Sequence, residues 1–416
     1  MRRQTKRHVE SMTKYHSPKA GAPVDAWPLD PAVAMLNHGS FGACPRPVLR
    51  RQAALRRRME AEPVRFLTRE MQPLLDQSRR ALAELIGAEP ENLVFLSNAT
   101  AGVNAVLRSL RFRPGDELLL TNHGYNACSN VVRYVAAREG ATAVTAEVPI
   151  PVESPEQVVD AVLARVTPRT RLAVLDHVTS PTAIVFPVCD LVRRLGDLGV
   201  ETLVDGAHAP GMLALDLKGL GAAYYTGNCH KWLCAPKGAG FLHVRPDRQQ
   251  GLQPPVISHG YSQPRPGYTR FQDAFDWQGT DDPTAWLCVG RAIEFLAGLV
   301  PAGLEGLMRR NRELAIAARR VLCRCLSLRP TCPEAMIGSM AALVLPEGAA
   351  ATAAQDPAVP VPVLRLGSRL LEQAGIEVPV YGWPAAPQAL LRVSAHAYNH
   401  LEQYERLAEA MLLAGV

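Results

Sequence analysis

No stretch of the 416 residues approaches the roughly 20 consecutive apolar positions of a membrane-spanning helix, because Ser, Asn, Pro and Gly interrupt the longest uncharged runs. That excludes a membrane span. Cys-x-x-Cys pairs are also missing. The nine cysteines, an odd number in a long chain, have the pattern of reduced thiols in a cytoplasmic protein rather than of a disulfide framework. Cys323, Cys325 and Cys332 lack histidines at finger spacing, so they read as packed small hydrophobes and no metal is expected. Lysine is scarce: only six of the 45 basic residues are lysine, and the rest are arginine. With 48% apolar and 20% charged residues the chain falls in the globular range, which excludes disordered, collagen-like and coiled-coil classes.

Three of the six lysines, Lys6, Lys14 and Lys19, lie in a basic N-terminal stretch without hydrophobic periodicity. It reads as a disordered tail over residues 1–25, since no apolar segment follows Arg2-Arg3 to make an export signal. Between about residues 90 and 245 short apolar runs alternate with helix-length segments. Leu93 to Leu96, Glu117 to Thr121, Ala143 to Val148, Arg171 to Asp176 and Thr202 to Asp205 are the expected strands. This alternation predicts an α/β fold with a mostly parallel sheet flanked by helices. Ligands of such sheets sit beyond the carboxyl ends of the strands, where Ser97 to Thr100, Asn122 to Tyr125, Asp176-His177 and Asp205 to His208 stand. After about residue 285 the pattern changes to helices at Thr284 to Leu299 and Leu304 to Leu326. A strand near Met340 to Leu345, an Ala/Pro-rich loop from Pro346 to Pro362, a strand from Gln388 to Val393 and a terminal helix follow. The division expected is a large domain over 26–285 and a smaller C-terminal α/β domain over 286–416.

Outside the tail only Lys218, Lys231 and Lys237 are available for Schiff-base chemistry, which needs a lysine in a partly desolvated pocket. Lys231, between His230 and Trp232 after a short β-like run, suits that best, whereas Lys218 and Lys237 sit in polar turns. Asp205 ends a buried-looking strand, where a carboxylate could hold a pyridinium nitrogen protonated. Taken singly, an aspartate there is as well read as a helix cap. Asn98, Ala99 and Thr100 open a helix whose free amides and dipole suit a phosphate, with Gly102 permitting close approach. A lysine, a strand-end acid and a phosphate cradle together point to pyridoxal 5'-phosphate. The arginine stripe over Arg46, Arg50, Arg51, Arg56, Arg57 and Arg58 reads as a solvated face, and no nucleic-acid-binding signature accompanies it.

From Leu36 to Val416 the chain resembles the class V aminotransferase family of pyridoxal phosphate enzymes, and within it the isopenicillin N epimerase-like branch. The resemblance rests on Leu36-Asn37-His38-Gly39-Ser40-Phe41-Gly42, Asn98-Ala99-Thr100-Ala101-Gly102-Val103-Asn104, His123-Gly124-Tyr125-Asn126-Ala127-Cys128, Asp176-His177-Val178-Thr179-Ser180-Pro181-Thr182, Asp205-Gly206-Ala207-His208-Ala209-Pro210-Gly211 and His230-Lys231-Trp232. It implies the type I fold of these enzymes, that of aspartate aminotransferase, with Lys231 holding the cofactor, Asp205 on its pyridine nitrogen and His208 near its phenolic oxygen. His123 would stack on the ring, and Tyr125 would act as acid near substrate. Ala99, Thr100, Asn228 and His230 would hold the phosphate, with Thr280 reaching the phosphate of a partner subunit in a homodimer. Arg392, with Asn37 and Ser180, would bind the substrate carboxylate, a task suited to a planar bidentate fork.

Two departures narrow the activity. The stretch from Glu377 to Gln388 contains no cysteine, which argues against a cysteine desulfurase, and Ser180 replaces the asparagine that desulfurases hold beside the ring. Gly124 stands where relatives carry a larger residue, which alters the side-chain pocket. The expected activity is proton removal at Cα of an amino acid or small peptide-like substrate by Lys231, followed by epimerisation with His123 or Tyr125 as the second acid. The alternatives are a C–S or other β-lyase acting on an S-substituted cysteine or its sulfoxide, and an aminotransferase.

Overall fold

The computed structural model describes residues 24–346, 365–384 and 388–416. Of the tail expected over residues 1–25, positions 1–23 lie outside the described residues, as does the Ala/Pro-rich loop beyond Pro346, while Val24–Ala26 form a 3-10 segment. In chain order the strands are β1 (Ala34–Met35), β2 (Leu93–Leu96), β3 (Glu117–Thr121), β4 (Thr142–Ala146), β5 (Thr170–Asp176) and β6 (Glu201–Gly206). They continue with β7 (Tyr224–Asn228), β8 (Gly240–Val244), β9 (Met340–Val344), β10 (Ile376–Glu377), β11 (Val380–Gly382) and β12 (Ala389–Ser394).

Seven of them form one sheet in the order β2-β8-β7-β6-β5-β3-β4. All pairings are parallel except those of β8 with β2 and β7. β8 was not among the expected strands, because Gly240-Phe241-Leu242-His243-Val244 follows β7 without an intervening helix. Strands β2 (LVFL) and β3 (ELLLT) are buried at every position, on both faces, as a sheet covered by helices on each side requires. Gly102, in the helix Ala99–Ser109, packs against β7 so closely that a Cβ would lie 2.2 Å from Thr226 Oγ1. The close approach at Gly102 is thus to β7, whereas the sequence reading places it at the phosphate end of the helix.

The C-terminal part carries a three-stranded antiparallel sheet, β11-β12-β9, against the 23-residue helix Gly303–Cys325 and the helix Leu401–Leu413. The helix expected from Thr284 is instead a 3-10 segment, Pro283–Cys288, followed by the helix Val289–Ala297. The start of the chain is tied to this part, for β1 pairs in parallel with β10. No helix among the described residues is long and apolar enough to cross a membrane.

Candidate active site

The site gathers at the carboxyl ends of β5, β6 and β7, where the backbone turns away from the sheet. β7 ends at Asn228, and the turn that follows presents Lys231. The Lys231 carbonyl accepts from Cys234 N at 3.0 Å and is 3.0 Å from His38 Nε2, so the lysine's backbone is fixed from two sides. His38 Nδ1 lies 2.8 Å from the Tyr398 hydroxyl, which links the lysine turn to the C-terminal part. Gly42 lies against the same turn with φ 71°, and a Cβ there would fall 2.1 Å from the His230 carbonyl, so only glycine fits.

Lys231 Nζ lies 3.2 Å from His208 Nε2. Trp232 Nε1, a donor only, reaches His208 Nδ1 at 3.3 Å, so a neutral His208 carries its proton on Nε2 and points it at the lysine. Burial, then the Lys231 charge, hold His208 well below the usual imidazole range. An Nε2–H facing Nζ needs a lone pair there. Burial first, then the Arg392 charge, push the Lys231 ammonium down to about 8, so the neutral amine is the minor form at pH 7 and becomes the major one above about pH 8.

The sign follows from that lowering. The folded chain is penalised while Lys231 is protonated, and the penalty fades as pH rises from about 8 toward the ordinary lysine value of about 10.4. In cofactor-free protein, reductive methylation of Lys231 should therefore rise through about pH 8. Lys218, which is raised by its bond to Glu89, should respond only at higher pH. Peptide mass mapping across a pH series reads both lysines, and a shared midpoint would refute the lowered value.

Asp205, 3% exposed, accepts from Ala207 N at 3.0 Å and takes the Cys128 thiol on Oδ2 at 3.0 Å. Its register partner on β5 is Asp176, 6% exposed, whose Oδ1 accepts the Tyr125 backbone N–H at 3.3 Å. Tyr125 itself is 45% exposed, and its hydroxyl takes no protein partner among the described residues. Partial burial, then the Cys128 and Asp205 charges, raise its pKa, so it keeps its proton at neutral pH.

His123 is corrected as an acid. Its Nε2 donates to the Val148 carbonyl at 3.0 Å and its Nδ1 lies 2.8 Å from Thr182 Oγ1, which leaves neither nitrogen to serve substrate. Burial pushes it down to about 4, so it is neutral and suited only to presenting a ring face. The helix start is also corrected in part. Asn98 caps it by accepting from Ala101 N at 2.9 Å, and Ala99 N donates to Asn228 Oδ1 at 2.8 Å. Two residues expected to grip a phosphate thus hold each other, which joins the helix start to β7. The Thr100 N–H has no protein partner among the described residues and remains available. His230 Nδ1 is engaged by the Ala239 carbonyl at 2.9 Å, leaving Nε2 as its free atom. Thr280 is exposed, one residue beyond Gly279 at φ 111°.

Arg392, on β12, is 1% exposed. Its Nη1 donates to the Ser180 carbonyl at 2.7 Å and to Ser180 Oγ at 3.3 Å. Its Nη2 donates to Ser40 Oγ at 2.8 Å and to Asn37 Oδ1 at 3.3 Å, and Asn37 is held in turn by Glu377 at 2.9 Å. The Tyr381 ring lies 5.3 Å from the guanidinium carbon, and Nε has no partner. No carboxylate is within ion-pair distance of Arg392 among the described residues, although the other deeply buried arginines, Arg79 and Arg319, are paired. An uncompensated buried cation calls for an anion. Asn37, Ser180 and Arg392, expected together from the sequence, do converge.

Sequence reasoning missed Ser40, Cys128, Asp176 and Tyr381 as members of the site. Ser40 lies inside a quoted motif and Asp176 stands at a strand end, so both had a signal. Cys128 also lies inside a motif, that from His123 to Cys128, whereas Tyr381 had no signal.

The aminotransferase class-V family model matches residues 43–354. An isopenicillin N epimerase from Amycolatopsis lactamdurans is 41% identical over 92% of this chain and 95% of its own length. A probable L-cysteine desulfhydrase of Arabidopsis thaliana chloroplasts is 31% identical over 92% of this chain and 83% of its own. Among solved structures, a cystine C–S lyase bound to its product cysteine persulfide superposes with a TM-score of 0.75 at 22% identity, covering 92% of this chain and 97% of that one, which supports the fold alone.

Proposed function

The chain belongs to the class V aminotransferase family and is a pyridoxal-phosphate-dependent enzyme, and from that premise we propose that it epimerises an amino acid or small peptide-like substrate at Cα. The observation that carries this reading is the buried Arg392 guanidinium, which has no carboxylate partner among the described residues and belongs to the same electrostatic neighbourhood as a lysine whose ammonium is lowered to about 8. The site residues fit the cofactor. Lys231 would join it, Asp205 would face its pyridine nitrogen, His208 Nε2–H its phenolic oxygen and His123 its ring. The free Thr100 N–H, with His230 Nε2 and the Asn228 Nδ2 that its bond to Ala99 leaves over, would hold the phosphate, and Thr280 would do so from the partner in a homodimer.

Pyridoxal phosphate, when bound, supplies an electron sink for negative charge at Cα. The rest falls to the chain. Arg392 grips the substrate carboxylate and fixes the Cα–H direction. Lys231 Nζ takes the Cα proton as general base, its pKa placed near working pH. Epimerisation needs a second proton donor, and Tyr125 Oη, protonated and uncommitted, is the group offered. The 38–41% identity to two isopenicillin N epimerases favours this outcome.

A C–S lyase is the second reading, favoured by the desulfhydrase relatives and by the same free Tyr125 hydroxyl, which would protonate a departing sulfur. Proton NMR of the holoenzyme in heavy water, with amino acids, S-substituted cysteines and their sulfoxides and short peptides, separates the two. Deuterium at Cα with both configurations present is the expected result. Pyruvate with a released sulfur fragment would replace it with the lyase.

A further inference from the structure

Asp205 is supported by two groups that no expected role covers. The Cys128 thiol, on the first turn of the helix Asn126–Glu139, donates to Asp205 Oδ2 at 3.0 Å. Asp176 lies beside Asp205 on the adjacent parallel strand and binds the Tyr125 backbone through Oδ1. Its other oxygen packs 3.5 Å from the place a Cβ would take on Gly124. The tighter neighbours there, Ser129 Oγ and the Thr121 carbonyl at 3.1 Å, give a physical reason for the small residue at 124. All three acidic groups are buried, at 3–6% exposure, where three negative charges together would repel strongly.

We propose that Cys128 and Asp176 are positioning residues for the Asp205 carboxylate, supporting it by hydrogen bonding and packing and not as charges. The inference rests on the reading of Asp205 as the partner of the cofactor's pyridine nitrogen. With Ala207 N on one oxygen and the thiol on the other, Asp205 has its carboxylate plane fixed, while Asp176 sets the start of the helix that carries both Cys128 and Tyr125. Burial, then the Asp205 charge, raise the thiol and the Asp176 carboxyl well above their ordinary values, which disfavours a further negative charge beside Asp205. The other charged or titratable groups in range include Lys231, Tyr125, Arg392 and, on the adjacent β7, Tyr225.

The test uses the full-length holoenzyme and two readouts besides turnover: the rate of cofactor loss on dialysis and the pH midpoint of its visible absorption band. Cys128→Ala and Asp176→Ala should each speed cofactor loss about tenfold, the scale of a hydrogen bond to a charged group, and displace the midpoint. Cys128→Ser and Asp176→Asn, which keep the hydrogen-bonding atoms without adding charge, should rescue both readouts. Alanine variants indistinguishable from wild type would overturn the inference, as would an Asp176→Asn protein as impaired as Asp176→Ala. Should an alanine variant fail to fold, Cys128→Val and Asp176→Leu fill the space without hydrogen-bonding groups and give the same comparison. Asp205→Ala is the control. If it changes neither readout, the reading of Asp205 itself fails; if it changes both while the Cys128 and Asp176 variants do not, only the inference fails.

Discussion

Replacing Lys231 with alanine is expected to cut deuterium incorporation at Cα by at least about 10⁴-fold, because the change removes both the cofactor attachment and the general base. Nothing nearby can substitute. His208 is neutral with its only proton on Nε2, His123 has both nitrogens engaged, and Lys237 directs its Nζ to the Gly42 carbonyl at 2.8 Å. The fold should survive, since the turn is held through the Lys231 carbonyl and not through its side chain. Removing an ammonium whose burial is unfavourable should leave the thermal midpoint at pH 7 unchanged or raised. Exchange within about a hundredfold of wild type, read by NMR on variant protein of intact fold, would remove Lys231 from the mechanism.

Arg392→Lys should lower kcat/KM about 100-fold or more, with most of the loss in KM. A single ammonium cannot donate in parallel to a substrate carboxylate while holding Ser180 and Ser40, as the guanidinium fork does. Losing a buried charge-assisted contact costs about 2–5 kcal/mol, which sets that scale. Steady-state kinetics on whichever substrate the NMR panel reveals checks the split. A fall in kcat with KM unchanged would mean that Arg392 acts on the reacting atoms and not on the carboxylate.

Much of this site was legible because its chemistry sits on short, ordered segments. The scarcity of lysine isolated Lys231, and the strand-end rule isolated Asp205 and the Asp176 neighbourhood. What the sequence could not disclose is which polar atoms satisfy one another. Ala99 N and Asn228 Oδ1 are both phosphate candidates by position, yet their side-by-side placement on the helix start and β7 makes them partners. His123 resembles a proton donor until Val148 and Thr182 are seen on either side of its ring. The sheet edge was partly hidden for a similar reason, since β8 has no preceding helix to mark it as a separate strand. Cys128 stood inside the motif from His123 to Cys128, but a cysteine in a helix shows its partner only once Asp205, 77 positions later, is brought beside it.

The tie between β1 and β10 has a consequence for biosynthesis. Asn37 finds Glu377, and Gly39 and Asn37 find Ser394 and Arg392, across separations of 340 to 355 residues. At about 5–20 residues per second, a ribosome delivers those partners roughly 20–70 s after the first of them emerges. During that interval the lysine turn has been made, but His38 still lacks Tyr398 and the carboxylate grip does not exist. The nascent chain can therefore form its central sheet well before it can recognise a substrate, and carboxylate recognition begins only after the last strand has docked.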